Sequence, residues 1–444
     1  MRCRGIELAN AVVLTAAMLF GGATARAQDA DLFAPAPERH RHARELEQHL
    51  PPKASQAPAF SIPAEPLGFS APGPHYLGMH VSLASLDFLD EDQLLFTFRV
   101  PGLIRRSAGE GEDDERRIRA LVLDLPTGAI ETETVWTVHG TARYVWMLRG
   151  GHFLVRDRDL VLEGDATLEL KPLLRFPGPL SRIEVDPTET YLVTDSREPE
   201  KVQAKAGEVR SPASASADVT VEGQPTSGGR DFVVRILRRQ SAQVMMVSHT
   251  RAPIHLPIND EGYLEALRAE GRGWLLNLNF FTGGSRILGR VNSACMPALD
   301  FLAPREVLAT TCDPSGGRDL VALTTDGHIL WEDSNSSVPV WPLLVISPDG
   351  SRLARESLSV THPVDALSPL STDDIRGQLV EVFDAATGKV ALRATASPVL
   401  DEGGNVAISP SGKRVAVISD GAIQVFELGA PPSLPTAEGK SSVR

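Results

Sequence analysis

The sequence predicts an all-β protein in which one strand–turn–strand unit is repeated around a ring. From Pro58 onward, apolar runs of four to eight residues are bounded by Gly, Pro, Asp and Ser, with no sustained helical period. In seven places such a run meets a tight turn and a second run follows; the turns centre on Asp90, Arg149, Asp186, Asn259, Ala303, Pro348 and Pro410. A unit repeated every ~40–45 residues is typical of a β-propeller blade.

The spacing of these turns becomes regular once three polar insertions are removed. Asn259 and Ala303 are 44 residues apart, and Ala303 and Pro348 are 45 apart, without any correction. Longer intervals contain a charged run at 105–117, an Ala/Ser/Gly/Glu/Pro-rich segment at about 197–230 and a polar loop at 359–377. Without these insertions all seven turns fall on a period of 37–46 residues. Long loops add little closure entropy, so the sequence predicts a single propeller of seven four-stranded blades.

The last blade lacks one strand in the sequence. Its three apolar segments occupy 405–409, 414–419 and 422–428, and then two prolines follow. An exposed outer edge invites aggregation, so we expect an N-terminal strand, from 59–62 or 75–79, to close the ring. The predicted propeller therefore spans 58–430.

Turn chemistry gives the chain a family resemblance. The turns "SPDG" at 347–350 and "SPSG" at 409–412, and the "D-x-x-T-G" turns that end at Gly128 and Gly388, resemble those of the WD40-like, YVTN-type and TolB-type propeller superfamily over about residues 75–428. These motifs specify a fold and hardly any function. The chain contains no Trp-Asp pair, so the docking roles usual for standard WD40 repeats do not transfer.

The first 27 residues have the pattern of a signal peptide. Arg2 and Arg4 precede an apolar stretch at 9–20, which is too short to span a membrane, and a small-residue site predicts cleavage between Ala27 and Gln28. An uncleaved membrane anchor is the alternative. We expect an exported protein, periplasmic or extracellular, with a flexible Pro/Ala/charge-rich stalk at 28–57, a disordered insertion at about 197–230 and a disordered tail at 431–444.

Net charge argues against two classes of partner. The predicted signal peptide carries three Arg and one Glu, so its loss changes the formal charge from −13 to −15. An acidic chain is a poor partner for nucleic acid or anionic lipid. We expect a monomer without a membrane span after signal removal, whose partner is a protein or a cell-envelope component.

Two cysteines remain after Cys3 leaves with the signal peptide. Cys295 and Cys312 predict one disulfide in an exported chain, with two buried free thiols as the alternative. A predicted hairpin places Cys312 opposite Pro297, two residues from Cys295. A metal site needs more soft ligands than this pair supplies.

No catalytic motif is present in the sequence. There is no nucleophile elbow, zinc helix, phosphate loop or EF-hand series, and the sequence names no catalytic, cofactor-binding or metal-binding residue. Structural or solvated roles are expected for the histidines and for the tryptophans, with channel-facing roles left open: His40, His42, His49, His75, His80, His249, His255, Trp136, Trp146, Trp274, Trp331 and Trp341. The charge run 156–165 is expected on a solvated outer face. No cofactor is expected, and Ca²⁺ held by converging carboxylates is the alternative.

Three functions are compatible with this pattern. The first is a non-catalytic binding scaffold, which requires nothing beyond the fold. The second is a lactonase-like propeller hydrolase with a divalent cation bound in the channel, and the third is a quinone- or sugar-binding propeller that uses the tryptophans. The sequence favours the first.

Overall fold

The computed structural model describes most of the chain from residue 54 to residue 430. The described residues are 54–73, 77, 81–101, 105–106, 114–198, 232–271, 273–312, 317–335, 342–361 and 372–430. All of them belong to one compact unit, His49–Arg444. The predicted signal peptide, most of the stalk, nearly all of the 197–230 insertion and the tail lie outside the described residues.

The described strands form seven antiparallel sheets, which confirms the predicted seven-bladed propeller. Blade 1 contains β2 (Ala84–Phe88), β3 (Gln93–Arg99), β4 (Arg105–Arg106), β5 (Asp114–Asp124) and β6 (Ile130–His139). Blade 2 contains β7 (Val145–Met147), β8 (Phe153–Asp157), β9 (Leu160–Gly164) and β10 (Lys171–Arg175). Blade 3 contains β11 (Leu180–Val185), β12 (Tyr191–Arg197), β13 (Phe232–Arg238) and β14 (Val244–Thr250).

Blades 4 to 7 follow the same order from the inside outward. Blade 4 contains β15 (Gly262–Arg268), β16 (Gly273–Phe280) and β17 (Ser285–Asn292), and blade 5 contains β18 (Ala298–Ala303), β19 (Glu306–Cys312), β20 (Arg318–Thr324) and β21 (Ile329–Asn335). Blade 6 contains β22 (Leu343–Ile346), β23 (Arg352–Val360), β24 (Ile375–Asp384) and β25 (Val390–Ala396). Blade 7 contains β26 (Val406–Ile408), β27 (Arg414–Ser419), β28 (Ala422–Glu427) and β1 (Phe60–Pro63). In blade 4 the inner position is taken by the segment that ends at Ile258, which makes a single bridge to Tyr263.

The seven turns found in the sequence are the turns from the inner to the second strand of the seven blades. Their polar residues fix the backbone: Oδ1 of Asp90 accepts hydrogen bonds from the amides of Asp92 and Gln93, both at 2.7 Å. Oδ1 of Asn259 accepts those of Glu261 at 2.9 Å and Gly262 at 2.8 Å. These acidic and amide side chains therefore have a structural role in the turns.

An N-terminal strand closes the ring, as predicted. β1 is the outer strand of blade 7 and pairs antiparallel with β28, with Phe60 opposite Val425 and Pro63 opposite Ala422. The segment 59–62 supplies it, rather than 75–79. Ile62 is buried in the cluster that joins blades 7 and 1, so the closing strand contributes to the core as well as to the ladder.

The core is divided into seven apolar clusters, one between each pair of neighbouring blades. Trp136 of blade 1 packs on Phe153 of blade 2 with ring centroids 5.7 Å apart. Trp331 of blade 5 stacks on Phe383 of blade 6 at 6.3 Å. Each blade is thus stabilised by both neighbours, and the ring shape follows from this repeated packing.

The two faces of the ring differ in their connections. At one face, here called the turn face, short described turns join inner to second strands and third to outer strands. The remaining connections join strand ends at the opposite face, here called the loop face.

Three local expectations need correction. Strand β5 begins at Asp114 and β23 extends to Val360, so the strands reach into the predicted insertions 105–117 and 359–377. Arg156 does not lie on a solvated outer face; it is 5% exposed because its guanidinium donates to carbonyl oxygens between blades 2 and 3.

Helix in the described residues is limited to two 3-10 turns, 149–151 and 372–374, and no described helix is long and apolar enough to cross a membrane.

The cysteine pair forms a disulfide in the structure, with Cα atoms of Cys295 and Cys312 5.6 Å apart. The predicted register was wrong by one residue. Ala303 pairs with Glu306, but Ala298 pairs with Thr310, because the hairpin contains a β-bulge between Phe301 and Ala303. Continuing this register places Cys312 next to Cys295 rather than two residues away.

Candidate functional site

The inner segments of all seven blades surround a central channel of about 860 Å³. Each blade contributes residues to its wall, and many of them are charged. The charged lining residues are Asp87, Arg143, Arg149, Arg182, Glu184, Asp186, Glu189, His255, Asp300, Asp349 and Glu402. Those that lie on inner strands reach the channel because short strands alternate: in β2, Ala84, Leu86 and Phe88 are buried in the core while Asp87 reaches the channel. The others lie in the segments that flank these strands.

One arginine narrows the channel at the turn face. Nη2 of Arg149 in blade 2 donates to the carbonyl oxygen of Pro187 in blade 3 at 3.0 Å and to that of Pro348 in blade 6 at 3.2 Å. Its backbone amide donates to Oε1 of Glu189. A side chain that bonds to turns of both a neighbouring and a distant blade restricts access from this face.

A histidine is held between two acids in the channel wall. Nδ1 of His255 lies 2.6 Å from Oε1 of Glu184 in blade 3. Nε2 lies 2.7 Å from the carbonyl oxygen of Leu299 and 3.1 Å from Oδ1 of Asp300 in blade 5. Nε of Arg182 lies 2.9 Å from the same Glu184 oxygen. We call Arg182, Glu184, His255 and Asp300 the histidine cluster.

The contacts of His255 decide its charge. Burial by itself lowers the pKa of His255, but the hydrogen bonds that the ring donates to Asp300 and Glu184, together with the charges of both acids, raise it to about 10. The imidazolium form therefore dominates at neutral pH. It joins the inner segments of blades 3, 4 and 5 where blade 4 has no regular inner strand.

A neighbouring acid supports the same irregular segment. Oδ2 of Asp195 on β12 accepts a hydrogen bond from the amide of Ile254 at 3.0 Å. Asp195 is 1% exposed, and burial raises its pKa to about 6 against this hydrogen bond and the charge of Arg182. The segment that precedes His255 is thus anchored by a side chain of blade 3.

A second group of charges makes no ion pair within the described part of the chain. Asp87, Arg143 and Glu356, which we call the acid cluster, interact through space, but none of the described residues forms an ion pair with Arg143. Oδ2 of Asp87 accepts a hydrogen bond from the Ser85 hydroxyl at 2.5 Å. Burial in the channel raises the pKa of Asp87 to about 6, and the charge of Arg143 and the Ser85 bond only partly oppose this.

Glu356 of the acid cluster lies behind the channel wall, opposite Leu343 in the sheet, and is 2% exposed. Its Oε2 accepts a hydrogen bond from Nε2 of Gln378 at 2.7 Å, whereas its Oε1 is buried without a hydrogen-bond partner. Burial raises the pKa of Glu356 to about 8, although Arg143 lowers it. The carboxyl group is therefore mostly protonated at neutral pH.

Arg143 itself faces the channel over an aromatic ring. Its Nε donates to the carbonyl oxygen of Val145 at 2.9 Å, and its Cζ lies 5.5 Å from the ring centroid of Trp146. Arg143 keeps some solvent exposure, but its position inside the channel limits its hydration, and this lowers the pKa of Arg143. A guanidinium on an aromatic face with free donors is suited to binding an anion.

The sequence identified few of these residues. Of the histidines that it singled out, His255 lines the channel, His249 lies on the outer strand β14, and His40, His42, His49, His75 and His80 lie outside the described residues. Trp136 and Trp331 pack between blades, Trp146 lines the channel, Trp274 donates to the carbonyl oxygen of Ser293, and Trp341 lies outside the described residues.

Sequence reasoning missed Asp87, Arg143, Arg182, Glu184 and Glu356. The available signal was the alternation of the short strand before each tight turn, where Asp87, Arg182 and Glu184 stand among core residues. The described residues contain no group of three or more His, Cys, Asp or Glu side chains arranged to hold a metal ion. The chemistry that the channel offers is charge recognition and hydrogen bonding.

Comparison with known proteins adds little beyond the fold. No protein-family model and no curated protein matches the chain. The C-terminal WD40 domain of Sif2 is similar over 86% of this chain and 100% of its own, at 11% identity and a TM-score of 0.40. The WD40 domain of Toxoplasma gondii coronin is similar over 79% and 89%, at 9% identity and a TM-score of 0.40.

A third solved structure, Pyrococcus horikoshii acylaminoacyl peptidase, is similar over 76% of this chain and 49% of its own, at 9% identity and a TM-score of 0.41. Similarities this low say nothing about function. The fold is evident from the seven sheets of the chain itself and from the strand that closes them. The chain is a seven-bladed β-propeller.

Proposed function

We propose that this chain is an exported, non-catalytic binding protein whose ligand occupies the central channel. The observation that carries the proposal is the convergence of charged side chains from all seven blades on one cavity of about 860 Å³. Ligand sites in proteins are typically concave and about 300–1,000 Å³ in volume. The channel falls in this range.

Two features of the wall support a binding role. The histidine cluster fixes three inner segments through hydrogen bonds between blades, so the wall is rigid before a ligand arrives, which lowers the entropic cost of binding. Arg143 and Trp146 present a free cation and an aromatic ring to the channel. The hydrolase alternative requires converging metal ligands, and no observation on the described residues favours it.

A channel plug tests the proposal. Ala298 lines the channel, so Ala298→Trp fills part of it, while Ala391→Trp places the same bulk on the exposed outer strand β25. Thermal-shift screening against organic acids, amines, sugars, quinones and short peptides should give at least one ligand class that stabilises the wild type and the Ala391→Trp variant. Ala298→Trp should abolish that stabilisation. A ligand that stabilises both variants equally would contradict the channel as the site.

Export and partner choice are part of the same proposal. Mass spectrometry of the mature protein should give an N-terminus at Gln28, and an intact N-terminus on membrane-bound material would contradict export by cleavage.

We expect a monomer in solution that docks a protein or cell-envelope component, and light scattering tests the oligomeric state. Calcium and a chelator should leave the melting temperature unchanged; a calcium-dependent rise would favour the hydrolase alternative.

A further inference from the structure

Two arginines of the channel wall have unused hydrogen-bond donors. Arg143 uses Nε for the carbonyl oxygen of Val145, and Arg182 directs Nε at Glu184. In the described part of the chain, neither arginine uses Nη1 or Nη2 in a hydrogen bond. Each guanidinium thus keeps the two nitrogens that bind both oxygens of a carboxylate.

A buried third arginine fixes the backbone that carries both side chains. Arg156, which is 5% exposed, donates from Nε to the carbonyl oxygen of Arg143 at 3.1 Å and from Nη1 to that of Leu180 at 2.6 Å. Leu180 precedes Arg182 by two residues on β11. The two channel arginines therefore project from neighbouring inner segments whose relative position is set by hydrogen bonds.

Local charge favours a monoanion as the occupant. Glu184 offsets the charge of Arg182, and Asp87 partly offsets that of Arg143. At pH 7 the two cations are nearly balanced by the Glu184 carboxylate and by Asp87, whose pKa is about 6. A monoanion therefore adds one negative charge to a nearly neutral group, whereas a phosphate dianion would add two and would face Glu184 at close range.

We propose that Arg143 and Arg182 form an anion subsite of the channel that takes the carboxylate of a small organic acid. The inference rests on the proposed function, in which the channel is the ligand site. The guanidiniums supply a bidentate, charge-assisted contact. The ring of Trp146 and apolar wall residues such as Met147 and Phe301 contact the apolar part of the acid.

Calorimetric titration of the exported protein with matched probes tests the subsite. Benzoate carries the carboxylate, benzamide has the same shape without the charge, and inorganic phosphate carries the competing anion. We expect benzoate to bind, benzamide to bind at least tenfold more weakly, and phosphate to bind more weakly than benzoate. Raising the salt concentration from about 0.05 M to about 0.5 M should weaken benzoate binding, because salt screens the contact.

Variants assign the binding to the arginines. Arg143→Gln should weaken benzoate binding at least tenfold. Arg143→Lys keeps the charge but loses the planar pair of guanidinium donors, so it should weaken binding by less. Arg175→Gln is the matched control, because Arg175 is 70% exposed and pairs with Asp159 on the outside of blade 2. Circular dichroism should show an unchanged fold in each variant, and Arg143→Lys keeps the test valid if Arg143→Gln misfolds.

The outcomes separate this inference from the proposed function. Benzoate affinity that is the same in wild type, Arg143→Gln and Arg143→Lys overturns the subsite, as does the absence of benzoate binding or a preference for phosphate. If benzamide binds as tightly as benzoate and Ala298→Trp blocks both, the subsite is wrong while the channel remains the ligand site. Benzoate binding that neither Arg143→Gln nor Ala298→Trp affects contradicts both proposals.

Discussion

The histidine cluster and the acid cluster face the same channel but differ in how their charges are compensated. His255 contacts an acid on each side, at 2.6 Å and 3.1 Å, and its pKa is raised to about 10. No cation among the described residues contacts Glu356, and its pKa is raised to about 8 because burial disfavours its charge. Contact with an opposite charge therefore keeps His255 charged, whereas separation from Arg143 leaves Glu356 protonated.

The largest expected effect is on His255. His255→Gln removes a cation from between Glu184 and Asp300, and we expect the free energy of unfolding at pH 6 to fall by about 2–3 kcal/mol, less than the ~3–5 kcal/mol typical of a fully buried pair. Urea denaturation measures this loss. His249→Gln on the outer strand β14 is the matched control and should change little. An equal loss in both variants would contradict a special role for the cluster.

The same variant has a defined pH dependence. The folded-state pKa of His255 is raised from 6.5 to about 10, so its contribution to stability is fully present below pH ~6.5 and is lost as the pH rises through ~10. The difference between wild type and His255→Gln should therefore be largest near pH 6 and shrink toward pH 10. A difference that does not vary with pH would indicate lost packing rather than lost charge.

Substitution in the acid cluster should change stability in the opposite direction, although the pH dependence has the same sign. The folded-state pKa of Glu356 is raised from 4.5 to about 8, so its contribution is fully present below pH ~4.5 and is lost as the pH rises through ~8. Glu356→Gln should stabilise the protein at pH 8 by about 1–2 kcal/mol and have little effect at pH 4.5. The gain is limited because the new amide places a donor where Oε1 has no partner. Glu332→Gln, at an exposed position of β21, is the control. Destabilisation of the protein by Glu356→Gln at pH 8 would contradict a raised pKa of Glu356.

A smaller effect separates the two acids beside His255. Asp300→Asn removes one charge, while Glu184 and the carbonyl oxygen of Leu299 still accept from the ring. The pKa of His255, followed by NMR titration, should fall below about 10 but stay above 6.5, with stability reduced by about 1 kcal/mol at pH 7. An unchanged pKa would mean that Glu184 alone holds the imidazolium.

The smallest effect concerns ligand affinity rather than stability. Asp87→Asn removes a negative charge near Arg143, so benzoate should bind about twofold to fivefold more tightly, in keeping with a partly screened repulsion in the channel. Calorimetry at pH 8 measures this best, because Asp87, with its pKa of about 6, is ionised there in the wild type. Weaker binding in Asp87→Asn would show that Asp87 positions Arg143 instead of opposing the anion.

Local patterns in the sequence determined most of the fold. The seven turns were recognisable because Asp90 and Asn259 bond to backbone amides only a few residues away. The closing strand was predictable because blade 7 has three strands in the sequence and a fourth is needed at its edge. The pairing of Cys295 with Cys312 followed from their being the two cysteines left after Cys3, whereas a bulge between Phe301 and Ala303 decided their register.

Tertiary structure alone decided the site. His255 contacts residues 71 and 45 positions away, Glu184 and Asp300, and no local pattern encodes such a distance. The pKa of Glu356 depends on its burial beside Gln378, which is itself fixed by Asn405 of the next blade. A propeller brings one short strand of each blade to a common axis, so the sequence determines which residues alternate inward on each strand, and only closure of the ring determines which of them meet.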